Sequence, residues 1–163
     1  MKRRIPSAAY HEARHAVVAA LLGMRVFAVS MPRDFPAIWH LRGGVIADFD
    51  HLARHNRDKA EKSATAGLAG EQAERLWCRQ KPWRHAKSSR HASFSGDHAY
   101  VEEMLRPVIE DSEDKQRTIK RLKELARALL ATHWSYAEGL ATRLAERKTL
   151  SGTEVKRMVP SKR

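Results

Sequence analysis

The chain has 163 residues, 42% of them apolar, which is enough for a compact domain with a hydrophobic core and argues against wholesale disorder. Thirty-one Lys and Arg against 19 Asp and Glu give a formal charge of +12, which favours anionic partners without specifying one. A single cysteine, Cys78, excludes an intrachain disulfide, and the longest charge-free apolar run, Ala16 to Met24, falls short of the roughly 18 to 20 residues that span a bilayer, so we expect one domain over 1–163, cytoplasmic and without a membrane span.

Met1-Lys2-Arg3-Arg4 looks like the start of an export signal, but His11, Glu12, Arg14 and His15 interrupt the place where its apolar stretch would lie. Residues 7 to 22 instead predict a helix, with Ser7 as cap and Gly23 as stop. Arg25 to Met31 and Gly44 to Asp50 are β-branched and aromatic, and predict two short strands that pair across a Pro- and Gly-containing loop. From about Arg57 to Cys78, Ala64, Leu68, Ala69, Ala73 and Leu76 recur at helical spacing, and Gly67 and Gly70 allow close packing. Lys81 to Ser95 reads as a loop leading to a helix capped at Ser95, which would put Asp97 in its first turn. Residues 111 to 133 predict an amphipathic helix with acidic residues first, followed by another through Trp134 to Leu144. Ser151 to Glu154 matches a capping box ahead of Val155. The expected fold is mostly α, with a small β element and a C-terminal helical bundle.

His11-Glu12-Ala13-Arg14-His15 is an HExxH pentapeptide. Four residues are about 400° of helical turn, which brings both imidazoles to one face, while Glu12 is rotated by about 100°. Two imidazoles can then hold zinc, and the carboxylate beside them can act as a base toward water without entering the coordination shell. Composition would produce such a pentapeptide roughly 0.04 times per chain, which disfavours chance. The bland alternative is a pair of surface histidines on an Ala-rich helix. A third His at the metzincin spacing is absent, because AVVAALL follows His15.

AYHEARHAVVAALLG resembles the opening helix of the FtsH-type ATP-dependent zinc metallopeptidases, which read similarly around HEAGH. VSMPR, GGVIADFD, ATAGLAGEQAERLW, SFSGDHAYVEEML and LATRLAERKTLSGTEVKRMV resemble later segments of that family in the same order, so the resemblance covers nearly the whole chain. It implies His11, His15 and Asp97 as zinc ligands, Glu12 as the base that activates water, and a peptide or unfolded protein as substrate. Read locally, Asp97 is more readily a helix-start carboxylate, a preference that the flanking resemblance reverses, and His91 and His98 are rival ligands by chemistry alone. An extended substrate could pair with an edge strand at Gly43 to Asp50, or that strand could simply complete the core.

Arg14 stands where the family pattern has Gly, and could either point past the site to a carboxylate or narrow the cleft and oppose the metal. Tyr10 is read as a packing residue. A phosphate-binding loop is absent, so ATP-driven unfolding would need a separate ATPase. The competing reading is an inactive peptidase-fold binding module. It would use the basic segment 75–96, where Arg75, Arg79, Lys81, Arg84, Lys87 and Arg90 lie beside Trp77 and Trp83, to hold a polyanion or a protein. No nucleic-acid motif accompanies that segment, which disfavours nucleic acid as the partner.

Overall fold

A computed structural model describes residues 5–31, 45–47, 55–80 and 90–160. Helix α1 (Ser7–Leu21) is followed by strands β1 (Val26–Ser30) and β2 (Val45–Ala47), then helices α2 (Arg57–Gln80), α3 (Arg90–Leu105), α4 (Ser112–Thr132) and α5 (Trp134–Arg147). Strand β3 (Thr149–Ser151) and helix α6 (Gly152–Met158) close the chain. The fold is mostly helical, as expected. Among the described residues no helix is long and apolar enough to cross a membrane.

The N-cap of α1 falls at Pro6 rather than Ser7, with no side-chain cap bond. Proline suits this boundary because it has no amide hydrogen to leave unpaired. The predicted stop is present: Gly23 takes φ +79°, its N–H donates to Ala20 O, and Met24 N–H donates to Ala19 O. These two bonds satisfy carbonyls the helix would otherwise leave open, in the Schellman arrangement that favours glycine. From Glu12 to Leu21 every residue of α1 is buried. The helix therefore lies inside the molecule, packed by α2, α5 and β1.

Helix α2 is the second internal element. One side meets α1, and the other carries Ala64 and Leu68 into a cluster with Val101, Leu105, Ile109, Leu122 and Ala126 from the α3–α4 side. Alanine and glycine along α1 and α2 let the two axes approach closely. Helix α4 is amphipathic as predicted: Asp111 caps it by accepting from Asp114 N–H, and Thr118, Leu122, Ala126 and Leu130 form its buried stripe. Helix α5 buries Ala137, Leu140, Ala141 and Leu144 against α1.

The sheet order is β2-β1-β3, antiparallel throughout, with an irregularity in β1 between Val26 and Ala28. Strand β3 is not among the predicted elements. Its three residues carry too little pattern to be read locally, and they become a strand by pairing Leu150 with Val29, far away in sequence. The expected capping box is present, with Ser151 and Glu154 bonding reciprocally at the start of α6. Gly152 is required there, because a Cβ would overlap the Val26 carbonyl oxygen.

Helix α3 departs from expectation. It begins at Arg90 instead of Ser95, so Asp97 lies about two turns inside it and no acidic residue occupies its first turn. The dipole of a helix start acts only within the first turn. It therefore does not account for a carboxylate at position 97.

Candidate metal centre

The three residues that the motif and the resemblance single out as ligands come together. The Nε2 atoms of His11 and His15 lie 3.1 Å apart, and Asp97 Oδ2 is 3.7 Å from each. Helix α1 supplies the imidazoles one turn apart, with rings edge to face at 4.6 Å. Helix α3 supplies the carboxylate. Among the described residues this is the one grouping of three or more His, Cys, Asp or Glu side chains suited to hold a metal ion.

The orientation of His15 is set by α2. Its Nδ1 lies 2.7 Å from Ala66 O in a buried contact. A carbonyl oxygen only accepts, so Nδ1 carries the hydrogen and Nε2 of the neutral ring presents its lone pair toward His11 and Asp97. Metal-ligating histidines are held by this kind of outer hydrogen bond. Gly70, one turn further along α2, provides the space: a Cβ would stand 2.7 Å from His11 Cε1 and 3.0 Å from His15 Nε2. Any side chain there would push the imidazoles aside.

The separations fit a first-row metal ion. Three atoms 3.1, 3.7 and 3.7 Å apart have a common point about 2.0 Å from each, which matches zinc–nitrogen and zinc–oxygen bond lengths. At 3.7 Å the carboxylate is too far from either nitrogen for a hydrogen bond. For the carboxylate a shared cation suits these distances better than a direct contact does, while the two imidazole nitrogens are within hydrogen-bond distance of each other.

Burial prepares the donors. It is the main cause that drives the His11 pKa down to about 3, with the His15 and Arg14 charges adding to it, so the ring is neutral at ordinary pH and its lone pair is available. Burial also pushes the Asp97 carboxyl up; His15 and His98 oppose the shift, and the Glu71 charge adds to it. A neutral His11 ring beside a desolvated carboxylate is an arrangement that a cation would stabilise.

Glu12 is only 2% exposed and lies around the helix from the imidazoles, outside the group of converging donors. Arg14 is buried too, but its guanidinium is stacked over two rings, 5.4 Å from the centre of Tyr10 and 5.2 Å from that of Trp134. The aromatic pair holds the cation toward α5, so Tyr10 packs as expected and also carries a charge on its face. His98 stands apart from the three donors, with Nε2 3.2 Å from Glu71 Oε2.

Strand β2 lies at one edge of the sheet, while the rest of the expected edge segment, at 43–44 and 48–50, falls outside the described residues. So do residues 81–89, and with them most side chains of the basic segment 75–96, that of His91 included. Sequence reasoning missed Ala66 and Glu71. Ala66 acts through its backbone carbonyl and leaves no signal in residue type, whereas Gly70 was legible only as a point of close packing. A scan of protein-family models gives no match to this chain, and no curated protein matches it.

Proposed function

We propose that this chain is a zinc-dependent metallopeptidase in which His11, His15 and Asp97 hold the ion and Glu12 is the general base. The observation that carries this reading is the convergence of the three donor atoms from α1 and α3, with the Ala66 carbonyl fixing the His15 tautomer. HExxH spacing and the ordered resemblance to FtsH-type peptidases support the same assignment. Zinc, when bound, supplies Lewis-acid polarisation of a peptide carbonyl and makes water more acidic.

The chain's own residues do the rest. Glu12 accepts a proton from the attacking water and returns it to the departing amine, a general acid–base role suited to a carboxylate beside the metal ligands. An extended peptide pairs with the β2 edge by main-chain hydrogen bonds, which read backbone more than side chains. Substrate arrives already unfolded, or is fed by a separate ATPase.

The test joins metal content to cleavage. Purified wild type should carry near-stoichiometric zinc, lost in His15→Ala and Asp97→Ala, and should cut an unfolded protein in a chelator-sensitive way. Glu12→Gln should keep the metal and lose the cleavage. Zinc-loaded, folded wild type that cuts no unfolded protein would leave a metal-binding module and overturn the peptidase reading.

A further inference from the structure

The third donor reaches the imidazoles indirectly. Asp97 belongs to α3, whose main packing partner is α2 rather than α1. The position of Asp97 against His11 and His15 therefore depends on how α3 is rotated on α2. Two places on α2, one turn apart, meet the same face of α3. At Gly67 a Cβ would stand 2.9 Å from the Tyr100 ring and 3.3 Å from Val101, so the aromatic side chain seats against bare backbone. At Glu71 the carboxylate Oε2 lies 3.2 Å from His98 Nε2, the residue next to Asp97.

Glu71 is buried, and a buried carboxylate costs several kcal/mol unless its charge is met. Here it is met by a cation from α4. Lys123 Nζ of α4 lies 3.3 Å from the same Oε2 that faces His98 of α3. Three helices are thus tied at one oxygen, one residue along α2 from the Gly70 that accommodates the imidazoles. The steric seat at Gly67 limits how far α3 can slide, and the polar tie at Glu71 limits how far it can turn.

Building on the metal-centre reading above, we propose that Glu71 is a positioning residue: held by Lys123, it anchors His98 and so sets the rotation of α3 that brings Asp97 to the imidazole pair. Glu71 itself is outside the group of three donors. Its effect on the metal passes through the helix it restrains.

The experiment titrates the metal-free full-length protein with Co2+ and records visible absorption, then measures Zn2+ affinity by competition. Wild type, Glu71→Ala, Glu71→Gln, His98→Ala and the Glu71→Ala/His98→Ala double variant are compared, with Asp97→Ala as the ligand-loss reference. Glu61→Ala, a carboxylate of the same helix that pairs with Arg57 and Arg121, is the control for merely structural damage. Glu71→Ala and His98→Ala should each weaken metal binding by about ten- to a hundredfold and shift the cobalt spectrum toward that of Asp97→Ala. Glu71→Gln, which keeps an oxygen facing His98 without the charge, should recover much of the wild-type spectrum. The double variant should be no worse than either single change, because both break one tie. If Glu71→Ala does not fold, His98→Ala carries the test, since that side chain is 48% exposed. Weaker affinity with an unchanged cobalt spectrum would mean that Glu71 acts only through its charge, and would overturn the positioning role. An unchanged affinity would overturn it as well. A wild type that binds neither metal would instead bring down the metal-centre reading on which this one rests.

Discussion

From Asp111 to Val159, charge and burial separate as they do in most amphipathic helices. Leu122, Ala126 and Leu130 of α4 and Leu140, Ala141 and Leu144 of α5 face inward, while Arg117, Lys120, Arg143 and Arg147 face water. At the junction of α1, α2 and α3 that separation fails: Glu12, Arg14, His15, Glu71 and Asp97 are buried among alanines and valines. Desolvating so many ionisable groups works against folding, so their presence needs a compensating purpose. One region is built for stability by local rules. The other departs from those rules where chemistry is expected, as functional sites do.

The sharpest way to break this contrast is to remove apolar packing that α5 contributes against α1, leaving every polar group of the junction in place. Leu144→Ala empties a fully buried position and should cost about 2–5 kcal/mol in chemical unfolding, with the metal stoichiometry of the folded protein unchanged. Metal lost in proportion to stability would show that the two regions are not separable. The converse variant is Gly70→Ala. Its Cβ meets both imidazoles, so metal affinity should fall at least about tenfold in titrations, although alanine is the better helix former.

Acid should act on the junction of the metal-free protein in a defined direction. Folded His11 resists protonation down to a pKa of about 3, whereas the unfolded chain protonates it near 6.5. The unfolded state then binds the extra proton between these values, so the His11 contribution to stability is full above about pH 6.5 and is lost toward pH 3. Unfolding curves of wild type and His11→Asn over that range should show a weaker pH dependence in the variant. The smallest effect belongs to the far end of the chain. Ser151→Ala removes the α6 cap and should cost about 1 kcal/mol in chemical unfolding, with no change in metal binding. Stabilisation by the Glu154 partner, whose carboxyl is held low first by the Ser151 backbone N–H and then by its hydroxyl, is present above the ordinary carboxylate pKa of 4.5 and fades as pH falls below it.

The regular helices were legible because the signals that make them are local. The Gly23 stop, the acidic start of α4, the Ser151–Glu154 box and the stripe through Leu122 and Leu130 all act within a turn or two of chain. Errors fell where tertiary contacts decide. Helix α3 starts five residues earlier than the serine that could cap it, and β3 exists because β1 has an edge to pair with.

The candidate site divides in the same way. Residue type and spacing determine that His11 and His15 share a helix face and that Glu12 stands beside them, because the α-helical period alone places side chains four apart on one side. Nothing local brings Asp97, 82 residues beyond His15, to within 3.7 Å of both nitrogens. That distance, the stacking of Arg14 between Tyr10 and Trp134, the Ala66 carbonyl that turns His15 and the gap left by Gly70 arise only when α1, α2, α3 and α5 pack together. A backbone carbonyl carries no residue-type signature, and a glycine shows that something packs closely without showing what. Their effect is set by which helix they face.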